Sequence, residues 1–348
     1  MNDFILKVNE HYNLKLPFVI YRKPNEDNII GVFQSSDELF LINNFSEAGI
    51  VFCSFNENQR FIIPSNQSET IIFKNNFKVV ELENQLNYVF EETKLDFEKL
   101  VNKGILAIKN KEFQKVVLSR KEVLDLNNFD VIETFTKLVT RYKSAFRYCF
   151  FHPKIGLWFG ATPEQLLKVS NENFATVSLA GTQKYENSTD VVWQEKEIEE
   201  QRIVTDFIVQ NLKNANTEIE VSEPKTVQAG NLIHLKSIIS GKLNVDFNLK
   251  DCIESLHPTP AICGMPRQES KKFILENEKY DREFYSGFIG ELNIDKQTDV
   301  FVNLRCMKIN KNKANIFVGC GITRDSIAEK EFQETVNKSM TMKILLNC

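Results

Sequence analysis

The chain has 348 residues, of which 42% are hydrophobic and 26% charged: apolar enough for a substantial core, and too polar for a fibrous or membrane-spanning protein. A formal net charge of −4, with no basic stripe interleaved with aromatics, excludes nucleic acid as the expected partner and leaves a small molecule. Seven dispersed cysteines without a C-x-x-C pair argue against both a disulfide framework and a cysteine-ligated zinc.

The opening run MNDFILKVNEHYNLKLPF has only a short apolar stretch before polar residues return, unlike a signal peptide or a membrane anchor, so a cytoplasmic protein with no membrane partner is expected. Short strands follow at LPFVIYRK, NIIGVF, GIVFCSF and ETIIF, separated by turn residues, and then an amphipathic helix from about Asp96 to Lys111. FQKVVLSRKEV reads as a strand in which Lys115 and Val117 point one way and Val116 and Leu118 the other. A lysine in such a run either snorkels to water or projects into a closed pocket, where it can lose its proton and act as a base.

A helix near 130 to 142, strands at FRYCFF, IGLWFG and ENFATVSLAG, and a long helix from about Val191 to Leu212 come next. Strands at NLIHLKSIISGKL, SGFIGELNI, DVFVNLRCMKI and ANIFVGCGI precede a closing helix from about Ser326 to Leu346. Strands and helices come in runs, not in alternation. The expected fold is therefore α+β, with large, mainly antiparallel sheets and helices packed outside.

Two helices carry acidic positions of interest. Lys196 and Glu200 lie four apart on one face of the first, with Ile198, Ile203 and Phe207 on another stripe, and Glu331, Glu334 and Lys338 share a face of the last. These are either solvated ion-pair faces or, if the two helices face each other, a pair of glutamates able to hold Mg²⁺. In loops, GATPEQLL offers Glu164 after a proline turn, SLAGTQK offers Gly181 and Thr182, and VGCGITRDS offers Gly319 and Gly321. Arg305, in the apolar run DVFVNLRCMKI, suits either an internal ion pair or a ligand carboxylate, which its planar fork matches. His234 is either a satisfied core histidine or a ligand-binding one.

Taken in order, KVVLSR, FGATPEQLL, LAGT, the K-x-x-x-E of KEIEE, IHLKSIISG, SLHPTPAICGMP, EKYDREFYSG, FVNLR, VGCGI and EFQETVNK resemble the chorismate-utilising enzymes, the family of anthranilate synthase component I. The likeness runs from about Lys115 to Lys338. It implies one chorismate-binding domain over residues 1–348, built as a β-sandwich with helices outside; 96–348 carries the motifs and 1–95 is a less recognisable, strand-rich part. Ammonia-using relatives typically carry glutamine at the position of Lys115. Relatives with a nucleophilic lysine place it where this chain has Ala180, and the HPTPA block resembles the isochorismate-forming group.

The resemblance implies a Mg²⁺-dependent conversion of chorismate to isochorismate, with Lys115 as general base toward water and Glu164 as general acid for the 4-hydroxyl. For that the lysine pKa has to fall from about 10.4 toward neutrality and the glutamate has to stay protonated. By the same likeness Glu200 and Glu334 hold Mg²⁺, with Glu197 and Glu331 as water-mediated helpers. Arg305, with the amides around Gly319 and Gly321, takes the enolpyruvyl carboxylate, and Lys338 and His234 lie near the ring carboxylate. Gly181, Thr182, Ala261 and Tyr285 line the pocket. The sequence departs from the family pattern at Gln201, where histidine is common, and at Glu283, where glycine is common. Alternatives are a salicylate synthase that goes on to eliminate pyruvate, and an idle relative that only binds a dicarboxylate. With water as nucleophile no amidotransferase subunit is needed, and a monomer is expected.

Overall fold

The computed structural model describes residues 2–74, 91–185, 188–213, 219–229, 232–244 and 248–346; Asn231, at the start of one expected strand, and Cys348 lie outside them. Strands are numbered along the chain. The first sheet runs, edge to edge, β15 (Gly264–Met265), β7 (Lys115–Asp125), β19 (Lys313–Ile322), β18 (Cys306–Asn310), β9 (Gly156–Thr162), β8 (Phe146–His152), β1 (Phe18–Arg22), β2 (Asn28–Gln34) and β6 (Ser68–Lys74). The second runs β12 (Ile219–Val221), β14 (Leu232–Lys242), β11 (Asn173–Lys184), β10 (Gln165–Ser170), β17 (Gln297–Val302), β16 (Phe288–Ile294), β4 (Gly49–Cys53), β5 (Arg60–Pro64) and β3 (Phe40–Leu41), with β13 (Lys225–Ala229) also paired to β14. The described pairings are antiparallel, as the runs of strands predict.

Side chains from both sheets meet in an aromatic core. Phe52 of β4 lies against Phe150 and Trp158 of the first sheet, and Phe146 of β8 stacks on Phe301 of β17 at 4.5 Å. Helices cover the outer faces: α1 (Asn2–Asn13) and α3 (Val131–Arg141) on the first sheet, α4 (Glu195–Leu212) and α5 (Leu249–Leu256) on the second. Around β7 and β19 pack α2 (Glu91–Lys109), α6 (Arg267–Asn277) and α7 (Ala328–Lys343). The fold is thus the expected α+β sandwich, and the strands of the first 95 residues are woven into both sheets.

Three expectations need correction. DVFVNLRCMKI is not one strand: β17 ends at Val302 in the second sheet, and β18 begins at Cys306 in the first. Buried Asn303 makes the switch, accepting from the Tyr148 hydroxyl at 2.6 Å and donating to the Phe284 carbonyl at 2.8 Å. Gly319 and Gly321 belong to β19, and Gly181 and Thr182 to β11, not to loops. Ile198 is exposed, because α4 packs with Val204, Phe207, Ile208 and Leu212 inward instead. Helices α1, α5 and α6 are additional to the expected set.

Candidate active site

The chain changes sheets twice at neighbouring places. β9 leads out of the first sheet through Pro163 and Glu164 into β10, and β17 leads back through Asn303 to Arg305 into β18. The crossovers are bonded together: Val302 N–H donates to the Glu164 carbonyl (2.9 Å), Ala161 N–H to the Arg305 carbonyl (3.0 Å), and the Thr162 hydroxyl to the Val302 carbonyl (2.6 Å). Two antiparallel sheets that part at such a point leave a cleft. It is walled by Glu164, Ala180, Gly181, Thr182, Glu200, His234, Ala261, Tyr285, Arg305, Gly319, Gly321, Glu334 and Lys338. The sequence-predicted site residues are therefore brought together, except that Lys115 of β7 does not itself line the cleft and meets it through Glu200.

Lys115 is 1% exposed, so it does not snorkel; its Nζ donates to Glu200 Oε1 at 2.7 Å. Val117 lines the same cleft, while Val116 and Leu118 pack under α2, the alternation expected of the strand. Gly321 makes room for the pair, since a Cβ there would lie 2.8 Å from Glu200 Oε1 and 3.1 Å from Lys115 Cε. β18 stops at Cys306, opposite Phe317, so the last residues of β19 pair only with β7 and are open toward the cleft.

The cations at the cleft are paired with carboxylates, with one exception among the described residues. Lys338 donates to Glu334 Oε1 at 2.6 Å and to the Gly319 carbonyl at 3.0 Å, joining helix to strand. Lys196 reaches across to Glu331 (3.1 Å) and not along its own helix to Glu200. The Arg305 guanidinium makes no hydrogen bond or ion pair among the described residues, and the residue's φ of 46° is the left-handed conformation that side chains seldom adopt. Strain of this kind is kept where surroundings over-determine it, often at a ligand clamp. An arginine fork held there without a partner is suited to an incoming carboxylate.

Surroundings tune the acids in opposite directions. Burial pushes the Glu164 carboxyl up to about 7, against the pull of Arg305, Lys115 and Lys338. Burial also acts on Glu200, but Lys115, Lys338 and Lys196 outweigh it and hold that carboxylate below its ordinary value. Glu331 is raised, by burial and then by Glu334. Glu197 caps its own helix, accepting from the Gln194 N–H at 3.0 Å. His234, from β14, is lowered to about 3, mainly by burial and then by Arg305 and Lys338, and remains neutral.

For a divalent ion the donor set is two carboxylates, Glu200 and Glu334, facing one cleft; no group of three or more His, Cys, Asp or Glu able to hold a metal occurs among the described residues. That fits Mg²⁺, which is commonly bound through one or two carboxylates with waters and substrate oxygens completing its shell. Sequence reasoning missed the apolar walls Leu179, Ile262 and Leu304, because nothing in their chemistry marks them. The two departures from the family pattern are accommodated locally. Gln201 ties α4 to Ser178 and Ser237, and Glu283 takes a φ of 51° while pairing with Lys308.

Residues 50–347 match the chorismate binding enzyme family. The chain is 30% identical over 261 residues to isochorismate synthase EntC of Escherichia coli (strain K12), covering 71% of this chain and 66% of that protein, just under two thirds of its length. Among solved structures, DhbC from Bacillus anthracis superposes with a TM-score of 0.81 at 22% identity, over 98% of this chain and 99% of that one. MenF, the menaquinone-specific isochorismate synthase from Escherichia coli, does so with a TM-score of 0.78 at 21% identity, over 95% and 89%. The chain belongs to the chorismate-binding enzyme family.

Proposed function

We propose that this protein is an isochorismate synthase, converting chorismate to isochorismate by adding water at ring carbon 2 and releasing the 4-hydroxyl as water. The observation that carries the reading is Glu164, a carboxyl raised by burial to about 7, in one cleft with Arg305, whose guanidinium has no partner among the described residues, and with Glu200, to which the buried Lys115 is bonded. An acid and a base brought to one site are what a hydroxyl exchange at neutral pH requires.

Lys115 takes a proton from the attacking water as the carbon–oxygen bond forms at carbon 2, the double bonds shift, and Glu164 gives its proton to the departing hydroxyl. Both groups return to their starting states by exchange with solvent. Arg305 binds the enolpyruvyl carboxylate, and Lys338 draws the ring carboxylate toward α7. Ala180 stands where other relatives carry a nucleophilic lysine, so that wall of the cleft has no amine to trap the ring. Glu200 and Glu334 would hold Mg²⁺, which supplies positive charge to the ring carboxylate and thereby orients the substrate. The reading also has the protein act in the cytoplasm as a monomer, without an amidotransferase subunit.

The test is incubation with chorismate and Mg²⁺ followed by product separation. Isochorismate is expected. Salicylate with pyruvate would make the protein a salicylate synthase, and no turnover would leave it a binding relative. Glu200→Gln and Glu334→Gln should each lose most Mg²⁺-dependent turnover with the fold intact, and unchanged magnesium dependence in both would remove the metal assignment.

A further inference from the structure

We infer that His234 Nε2 is a hydrogen-bond acceptor for a hydroxyl group of the bound ligand, a role different from contact with a carboxylate. The argument begins in the sequence LAGT. β11 and β14 pair in register up to Ala180 opposite Leu235 and again from Gln183 opposite Ile233, so Gly181 and Thr182 together face the single residue His234. This is a β-bulge, and Gly181 takes the left-handed conformation, φ +70°, that such a bulge asks of its first residue. A bulge re-aims what it carries: here it turns the Gly181 carbonyl onto His234 Nδ1 at 2.9 Å, with the Thr182 hydroxyl at 3.2 Å.

A carbonyl oxygen can only accept, so Nδ1 bears the proton. The neutral ring then has a bare lone pair on Nε2. That nitrogen is buried, on a side chain 4% exposed that lines the cleft, and it has no hydrogen-bond partner among the described residues. An orphaned buried acceptor is costly, and a suitable donor on the ligand removes that cost on binding. The donor is not a carboxylate, whose oxygens would face a lone pair across the contact. Nor is it Mg²⁺ held by the glutamates, whose shell takes oxygen ligands and not an imidazole nitrogen. What remains is an O–H. Resting on the function proposed above, the ligand is chorismate, in which the ring hydroxyl is the one donor beside two carboxylates; the lone pair therefore reads the group that the reaction moves.

The test compares chorismate with its analogue lacking the 4-hydroxyl, in the Glu164→Gln background so that turnover is slowed. Dissociation constants are measured with Mg²⁺ present, with and without His234→Leu. With His234, chorismate should bind about tenfold more tightly than the deoxy analogue, about 1.4 kcal/mol, and in the leucine variant the two should bind alike. An equal preference in both proteins overturns the inference alone, whereas failure of chorismate to bind either one overturns the proposed substrate with it. Should the leucine variant not fold, ¹⁵N spectra of histidine-labelled wild-type protein decide the matter. A bare Nε2 that moves upfield when chorismate is added supports the inference, and a protonated Nε2 overturns it.

Discussion

Glu164 shows how far one side chain is set by its surroundings. Its carboxyl lies at the point where the chain leaves one sheet for the other, and burial raises it from an ordinary 4.5 to about 7. The folded protein therefore binds a proton that the unfolded chain has already released. Stability from this group is fully present below about pH 4.5, declines as pH rises toward about 7, and is lost above it. Glu164→Gln, which cannot ionise, should flatten that decline, visible as a smaller difference in urea midpoint between pH 5 and pH 8 than in wild type. The same residue should govern rate. As a general acid it acts while protonated, so the forward rate should fall as pH climbs through about 7, and the glutamine variant should lose that limb along with about 10²–10⁴-fold of activity. A profile unchanged by the substitution would place the acid elsewhere. Lys115→Gln should cost a similar factor, measured as kcat at saturating chorismate, and a near-native rate would make Lys115 an ion-pair partner of Glu200 and no more.

At the scale of elements, the helix that carries Glu334 and Lys338 is fixed to the strand that carries Lys115 by a buried charge network. Glu122 of β7 pairs with Arg120 at 3.1 Å and with Lys343 near the end of α7, and Arg120 donates from Nε to the Thr335 hydroxyl at 2.7 Å, one residue from Glu334. Removing the middle charge takes the shared carboxylate away from two buried cations. Glu122→Gln is expected to destabilise the protein by about 3–5 kcal/mol, the usual result of breaking a buried ion pair from one side, and a urea unfolding curve indistinguishable from wild type would show the network to be dispensable. This network also marks where sequence reading stops. Periodicity made α4 and α7 visible, and with them Glu200 and Glu334, because helical spacing places such residues on one face. It could not show that Lys196 would prefer Glu331 across the cleft to Glu200 on its own helix. Nor did it break DVFVNLRCMKI: an apolar run with no glycine or proline reads as one strand, and the switch between sheets depends on a buried asparagine whose partners, Tyr148 and Phe284, are distant in sequence. The sequence singles out Arg305 by its residue type, but the left-handed backbone it takes beside the cleft is a product of that switch.

Across the whole molecule, the cleft exists because two sheets packed on a shared aromatic core diverge where both crossovers occur. The core and the crossovers form one closed circuit. Phe146 of β8 stacks on Phe301 of β17 and pairs across the first sheet with Thr162, whose hydroxyl bonds the carbonyl of Val302, the neighbour of Phe301; Val302 in turn donates to Glu164. Packing between the sheets is therefore tied to the position of the acid. Phe301→Ala should lose about 3–5 kcal/mol, the transfer of a large side chain plus the cavity it leaves, read from urea unfolding. Phe301→Leu fills more of the space and costs less, which permits a functional measurement on a folded protein. Its control is Phe4→Leu, the same change of volume in the separate core beneath α1, where the ring stacks on Phe73 far from either crossover. At a temperature where both variants remain fully folded, Phe301→Leu should lower kcat because Glu164 is no longer held at its productive distance, while Phe4→Leu should leave kcat at the wild-type value. Equal kcat in the two variants would show that the crossovers hold their geometry by their own hydrogen bonds, independent of the aromatic stack between the sheets.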